Sequence, residues 1–226
     1  MNNTYVLPDI HGCHKTLKYT IENRLKLCRN DELYFLGDFI NKGPDSKGVL
    51  DLVMSLIQND IKVYSVRGNH EQLLLDAFNN NEKNELFKDR GGKETLESFQ
   101  VGNIRDIPNV YIDFINELPY FIELKDYVIV HAGFDFSLDN PFSDYESMLT
   151  IRNFTMSPAS LNYRKVIHGH NAINLQEIYR SIIEPDSYQL NIDNGCVYKD
   201  KEGMGNLFVL NLNDHSFHIQ KNIEFV

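Results

Sequence analysis

The 226-residue chain has no tryptophan and only three cysteines, Cys13, Cys28 and Cys196. Three is an odd count and no two of them form a CxxC pair, which excludes a disulfide framework and a zinc ribbon and suits a reducing compartment. Positive charge is also scarce: 22 Lys and Arg stand against 32 Asp and Glu, a formal net charge of -10. Such a chain does not hold nucleic acid or anionic lipid by bulk electrostatics, although a local positive site is compatible with it. No apolar run approaches the ~18 residues of a membrane span. The opening MNNTYVLPDIHGC lacks the basic and apolar regions of a secretory signal. The expectation is a cytoplasmic protein with neither nucleic acid nor membrane as partner.

The composition that is present, 42% hydrophobic and 24% charged, is that of a globular chain able to bury a sizeable core. Residues 4–7 read as a strand. Leu17, Ile21, Leu25 and Cys28 then fall at helical spacing, and residues 31–36 form a second strand. Residues 46–59 place Val49, Leu50, Val53, Leu56 and Ile57 on one helical face, and residues 61–66 are a third strand. This β-α-β-α-β order marks a layered α/β sheet. A helix over 109–118 and a buried strand, Tyr127–Val130, follow. Strand-like runs at 166–167, 177–183, 189–192, 206–212 and 216–220 predict a second, more antiparallel sheet facing the first. No repeat or linker divides the chain, so residues 1–226 read as one domain with a helical cap or insertion at about 79–125.

Chemistry concentrates where strands end. The clusters are Asp9-Ile-His11-Gly, Gly37-Asp38, Gly68-Asn69-His70-Glu71, His131-Ala-Gly and His168-Gly-His170-Asn. Ligands of α/β sheets sit outside the carboxyl ends of strands, so several clusters can converge there. Oxygen and imidazole donors without thiolate suit Mn, Fe, Zn or Co, and a mixed His, Asp and Asn set favours a binuclear site. In an extended chain residues i and i+2 share a side, so Asp9 and His11 can grip one ion. Each piece alone has a plain structural reading: Asn69 as a helix N-cap with Glu71 in the first turn, or His131 as a core histidine. Five clusters in series, each with a glycine, argue for the site.

The motifs PDIHG (8–12), GDFINKG (37–43), GNHE (68–71), HAG (131–133) and HGHN (168–171) resemble those of the calcineurin-like metallophosphoesterases. Within them they resemble the bacterial and phage serine/threonine protein phosphatases of the PPP type. KGPDSKGV (42–49), LTIR (149–152) and IDNGCV (192–197) extend the likeness. It implies a four-layer α-β-β-α sandwich of two facing mixed sheets. It also implies two divalent ions, manganese first, with Fe, Zn, Co or Ni as alternatives. Asp9, His11 and Asp38 would hold one ion, with Asp38 bridging; Asn69, His131 and His170 would complete the other. His168 would orient a ligand or pack. Ala172 stands where other branches carry a further histidine, which argues against the phosphodiesterases of that type.

The implied reaction is hydrolysis of phosphoserine or phosphothreonine, with phosphotyrosine as an extension, in a phosphoprotein or phosphopeptide by direct attack of a hydroxide shared by the ions. His70 would be the general acid, and Lys42, Arg152 and Asn69 would contact the phosphate. The chain departs from the family where Asn41 and Lys42 replace an Asp-Arg pair. Asn41 can accept a hydrogen bond from His70 but adds no charge to raise its pKa, and Lys42 lacks the bidentate fork of arginine. Activity should therefore favour esters with good leaving groups. The alternatives are a symmetrical dinucleoside tetraphosphate hydrolase and a non-catalytic phosphate-binding module. Asp193 and Asn194 could orient a metal-bound histidine or simply form a turn.

Overall fold

The computed structural model describes residues 2–224. Among the described residues nine strands are formed: β1 (Thr4–Leu7), β2 (Glu32–Phe35), β3 (Lys62–Ser65), β4 (Phe121–Glu123), β5 (Tyr127–Val130), β6 (Lys165–His168), β7 (Gln189–Asn191), β8 (Asn206–Asn211) and β9 (Phe217–Lys221). The helices are α1 (His14–Tyr19), which continues as a wider turn over Thr20–Leu25, α2 (Ser46–Gln58), α3 (Asn69–Asn79), α4 (Asn84–Phe87), α5 (Lys93–Phe99), α6 (Asn109–Glu117), α7 (Tyr145–Thr150) and α8 (Leu175–Ile183). Among the described residues no helix is long and apolar enough to cross a membrane.

One sheet has the order β3-β2-β1-β8-β9 and the other β4-β5-β6-β7. β1, β2 and β3 are parallel, in a register that sets Leu7 opposite Phe35 and Phe35 opposite Ser65. Their carboxyl ends therefore finish level. β5, β6 and β7 are likewise parallel. Alternation along the strands sorts the core into layers. Leu7, Leu33, Phe35 and Val209 face the helical layer of α1, α2 and α5. Val6, Tyr34, Phe208 and Leu210 face inward against Ile129, Ile167 and Leu190 of the other sheet. Val128, Val130 and Val166 turn outward to Phe134, Met148 and Leu161. The result is an α/β sandwich of two mixed sheets flanked by helices, as the resemblance implied.

Two expectations need correction. The late strands β8 and β9 do not build the second sheet; they extend the first one antiparallel, β8 pairing with β1. The second sheet is mainly parallel. Residues 177–183 are helical and not a strand. The β-branched run conceals a capping box, in which Asn174 Oδ1 accepts from Glu177 N–H (3.0 Å) and Glu177 Oε2 accepts from Asn174 N–H (3.2 Å). Ile178, Tyr179 and Ile182 then turn one face onto the inter-sheet core. Removing the cap by Asn174→Ala should cost about 1 kcal/mol of stability, measured as a lower urea midpoint at unchanged slope. An unchanged midpoint would show that packing alone fixes α8.

Candidate metal centre

Every candidate ligand lies just past the carboxyl end of a parallel strand. Asp9 and His11 follow β1, Asp38 follows β2, and Asn69 and His70 open α3 after β3; His131 follows β5 and His170 follows β6. The two sheets thus deliver their polar loops to one rim. The loops are packed so closely that a Cβ on Gly37, whose φ is +86°, would strike the backbone nitrogen of Gly68. His11, Asp38, Asn41, Lys42 and His170 all carry positive φ although none is glycine. Such clustering of unfavourable backbone persists where surrounding contacts over-determine it, as at functional sites.

The atom at the centre is Asp38 Oδ2. It lies 3.4 Å from His11 Nε2, 3.6 Å from His131 Nε2 and 4.0 Å from His70 Nε2. His131 Nδ1 bonds to Leu36 O (2.8 Å) and His11 Nδ1 bonds to Ile40 O (2.9 Å). A carbonyl only accepts, so both rings carry their proton on Nδ1 and point a bare Nε2 into the site. His131 Nε2, Asn69 Oδ1 and His170 Nδ1 stand 3.0 to 3.1 Å from one another. Three ligand atoms facing one another at this spacing can share a cation. Two groups of donors, His11-Asp38-His70 and Asp38-His131-His170, bring one atom each within 4.8 Å and could hold an ion. Asp9 lies beside them, its Oδ1 accepting from His170 N–H at 3.3 Å and 4.0 Å from His131 Nδ1. This thiolate-free donor set fits divalent ions of the Mn, Fe or Zn kind.

Burial governs the charges. It holds His131 down to about 4 and His170 to about 3, and it pushes His11 and His70 well below the ordinary value, so the rings are neutral. Burial raises Asp38 to about 6, against the pull of the Lys42 ammonium, and raises Asp9 well above its usual range. Neutral imidazoles are the form that ligates a metal, and carboxylates that resist ionisation in the absence of a counter-charge are the state a divalent ion would reverse.

Asn41 behaves differently from the expectation. Thr95 Oγ1 donates to Asn41 Oδ1 (2.7 Å), which turns the amide nitrogen to His70 Nδ1 (2.9 Å). Asn41 donates to the imidazole and does not accept from it. His70 therefore bears its proton on Nε2, the nitrogen nearer Asp38. Lys42 Nζ reaches His11 Nε2 at 2.8 Å, and Arg152 Nη1 donates to Asn171 Oδ1 at 2.8 Å beside His170. Lys42, Asn69, His70, Arg152 and His170 line a cleft of about 910 Å³. His168 is buried behind the site with its ring edge-on to Phe154, 5.2 Å between centres. Asp193 Oδ1 accepts from Gly195 N–H (2.7 Å), and the Asn194 amide donates to Ile173 O and Gly203 O, so the pair form a turn.

Glu71 is the residue that motif reading undervalued. It is fully buried and accepts from the N–H groups of Asp38 (2.7 Å), Phe39 (2.9 Å) and Gly68 (3.0 Å). Its signal in the sequence was a charged residue on the inner face of a helix that otherwise buries Leu74 and Leu75.

A family model of calcineurin-like phosphoesterases matches residues 3–200, and the chain belongs to that family. Membership implies divalent metal ions and hydrolase chemistry. The chain is 27% identical over 218 residues to an asymmetrical bis(5'-nucleosyl)-tetraphosphatase of Oceanobacillus iheyensis, covering 87% of this chain and 85% of that protein. It is 30% identical to a symmetrical bis(5'-nucleosyl)-tetraphosphatase of Wigglesworthia glossinidia brevipalpis, over 57% of this chain and 44% of that one. A crystal structure of a protein named provisionally as a diadenosine tetraphosphatase superposes with TM-score 0.69 at 22% identity, over 98% of this chain and 94% of that chain, and shows the shared fold. Serine/threonine-protein phosphatase 1 of Salmonella typhimurium is 32% identical over 64% of this chain and 62% of its own length. The phosphoserine/phosphothreonine expectation is thereby overturned, because tetraphosphatases predominate among the relatives and one is matched along nearly its whole length.

Two outcomes test the site. Glu71→Gln sets an amide N–H against a backbone N–H and should cost about 1–3 kcal/mol, seen as a lower denaturant midpoint; wild-type stability would show that the carboxylate does not organise the loop. Manganese at a hundredfold over its Kd should stabilise the chelator-treated protein by about 2.7 kcal/mol. Asp38→Asn should lose most of that gain, and an undiminished gain would place the ion elsewhere.

Proposed function

We propose that the chain is a dinucleoside tetraphosphate hydrolase of the asymmetrical kind, yielding a nucleoside monophosphate and a nucleoside triphosphate. The observation that carries this reading is the match over 85% of the length of relatives so named, whereas symmetrical relatives are matched over 26% to 65% of theirs. The cleft of about 910 Å³ lies at the upper end of what small-molecule sites offer, which suits an extended substrate.

Asp9, His11 and Asp38 would hold one divalent ion, and Asp38, Asn69, His131 and His170 a second, with manganese the first candidate. When bound, such ions supply Lewis acidity toward water and toward the phosphoryl oxygens. The chain does the rest. Lys42 and Arg152 hold non-bridging oxygens in the cleft. Water's oxygen bonds to phosphorus in line, and the bond from that phosphorus to the bridging oxygen breaks, its electron pair leaving with the nucleoside triphosphate. His70, neutral with its single proton on Nε2 by virtue of Asn41, offers a hydrogen bond to that departing oxygen, which leaves as the anion, while the proton shed by the attacking water passes to solvent. A terminal phosphate, whose second pKa is ~6, needs far less help to leave than a serine alkoxide. Asn41 in place of a carboxylate is thus adequate for an anhydride and poor for an alkyl ester.

Product analysis with manganese decides between the readings. Diadenosine tetraphosphate should give ATP and AMP, with no comparable phosphate release from a phosphoserine peptide, and Asp38→Asn should be inactive. Two ADP would mean symmetrical cleavage, and efficient phosphopeptide turnover would remove the reading altogether. Asn41→Asp, which returns a charge beside His70 and raises its pKa, should speed alkyl phosphate hydrolysis at least tenfold and change the anhydride rate less than threefold. Equal effects on both substrates would show that leaving-group chemistry does not explain Asn41.

A further inference from the structure

The cleft contains one element that phosphate hydrolysis alone does not use. Residues 195–205 form a loop stitched to itself: Tyr198 N–H donates to Gly195 O (2.8 Å), Lys201 N–H donates to Tyr198 O (3.0 Å) and Gly205 N–H donates to Asn194 O (3.2 Å). The loop presents the Tyr198 ring to the cleft, 38% exposed. Gly195, at φ +62°, makes room for it, since a Cβ there would come 2.6 Å from Tyr198 Cδ2. Among the described residues the Tyr198 hydroxyl makes no hydrogen bond, so the ring is not held there for its polar end.

Two ammonium groups lie over that ring, Lys42 Nζ at 5.4 Å and Lys201 Nζ at 5.8 Å from its centre. Lys42 Nζ is also the group 2.8 Å from His11 Nε2. Two short steps therefore lead from the metal-ligand cluster through a cation to an exposed aromatic face. Lys42, Lys201, Arg90 and Arg152 all line the cleft, and none belongs to the six ion pairs that Lys and Arg make among the described residues. Cations outside ion pairs, beside an open π-face, form an arrangement that takes a base and its phosphates together, although Asp38, Asp76, Asp89 and Glu146 share the lining.

We propose that Tyr198 is the stacking platform for one nucleobase of the substrate, with Lys201 binding the same nucleotide, and that the stacked base belongs to the nucleotide whose 5'-phosphate is attacked. Lys42 Nζ lies 2.8 Å from His11 Nε2 and 5.4 Å from the ring centre, a span that a single ribose can bridge; the other base, three phosphates further away, would overshoot the ring. Tyr198 is thus a specificity-determining residue, and the assignment rests on the dinucleotide reading above.

Tyr198→Ala should lower the ratio of kcat/KM on diadenosine tetraphosphate to that on inorganic tripolyphosphate about tenfold, through KM and not kcat. Tyr198→Phe should keep the wild-type ratio, and Lys201→Gln should lower it about threefold. A ratio unchanged in Tyr198→Ala, or a loss on dinucleotide seen only in kcat, would overturn the proposal. Because the chain has no tryptophan, Tyr198→Trp supplies a single fluorescent reporter that needs no turnover. ATP should quench it saturably while inorganic tripolyphosphate does not; equal responses to both, or none, would overturn the platform. If wild type fails to cleave the dinucleotide but the reporter still answers to ATP alone, the function falls and the nucleotide site stands.

Discussion

The carboxylate of Glu71 is the constraint on which the site depends. It collects the N–H groups of Asp38, Phe39 and Gly68, and so ties the loop after β2 to the start of α3. Hydrogen bonds to a carboxylate are stronger than neutral ones, and buried N–H groups left without them are costly. Held this way, Asp38 tolerates a φ of 51° and aims Oδ2 at three imidazoles, while its Oδ1 accepts from His70 N–H at 3.0 Å. Burial and the neighbouring Asp38 carboxylate push Glu71 itself up to about 7, the electrostatic cost of fixing one acid with another.

Around that anchor, tautomers are set by backbone oxygens and not by charged partners. Leu36 O and Ile40 O hold the Nδ1 protons of His131 and His11, so that the free nitrogens converge. The formal charge of -10 consequently says little about the site. Its acids are partly neutralised by burial, and Lys42, Arg90, Arg152 and Lys201, none of them in an ion pair among the described residues, line the cleft. An acidic protein can therefore offer local cations to a short polyphosphate over short range while repelling long polyanions.

Much of this was legible in the sequence because strand ends concentrate polar, glycine-rich turns, and five such turns in series left few other readings. The parallel core strands and α2 were visible from apolar periodicity alone. Residues 177–183 were not, since Ile, Tyr and Ile at this length suit a strand as well as a helix, and only the Asn174–Glu177 cap decides. The sheet assignment of β8 and β9 depends on contacts between opposite ends of the chain, as in the pairing of Tyr5 with Asn211, which local pattern does not encode. Asn41 was recognised as a departure, but the direction of its hydrogen bond depends on Thr95, far along the chain in α5. Substrate class was not legible for a related reason: the metal motifs are common to monoesterases and tetraphosphatases and do not tell them apart.

On this reading the convergent His, Asp and Asn donors would hold two ions around Asp38. Anomalous diffraction at the manganese edge, from crystals grown with manganese, tests it most directly. Two peaks should flank Asp38 Oδ2, one against Asp9 and His11 and one against Asn69, His131 and His170. A single peak, or peaks away from Asp38, would contradict it.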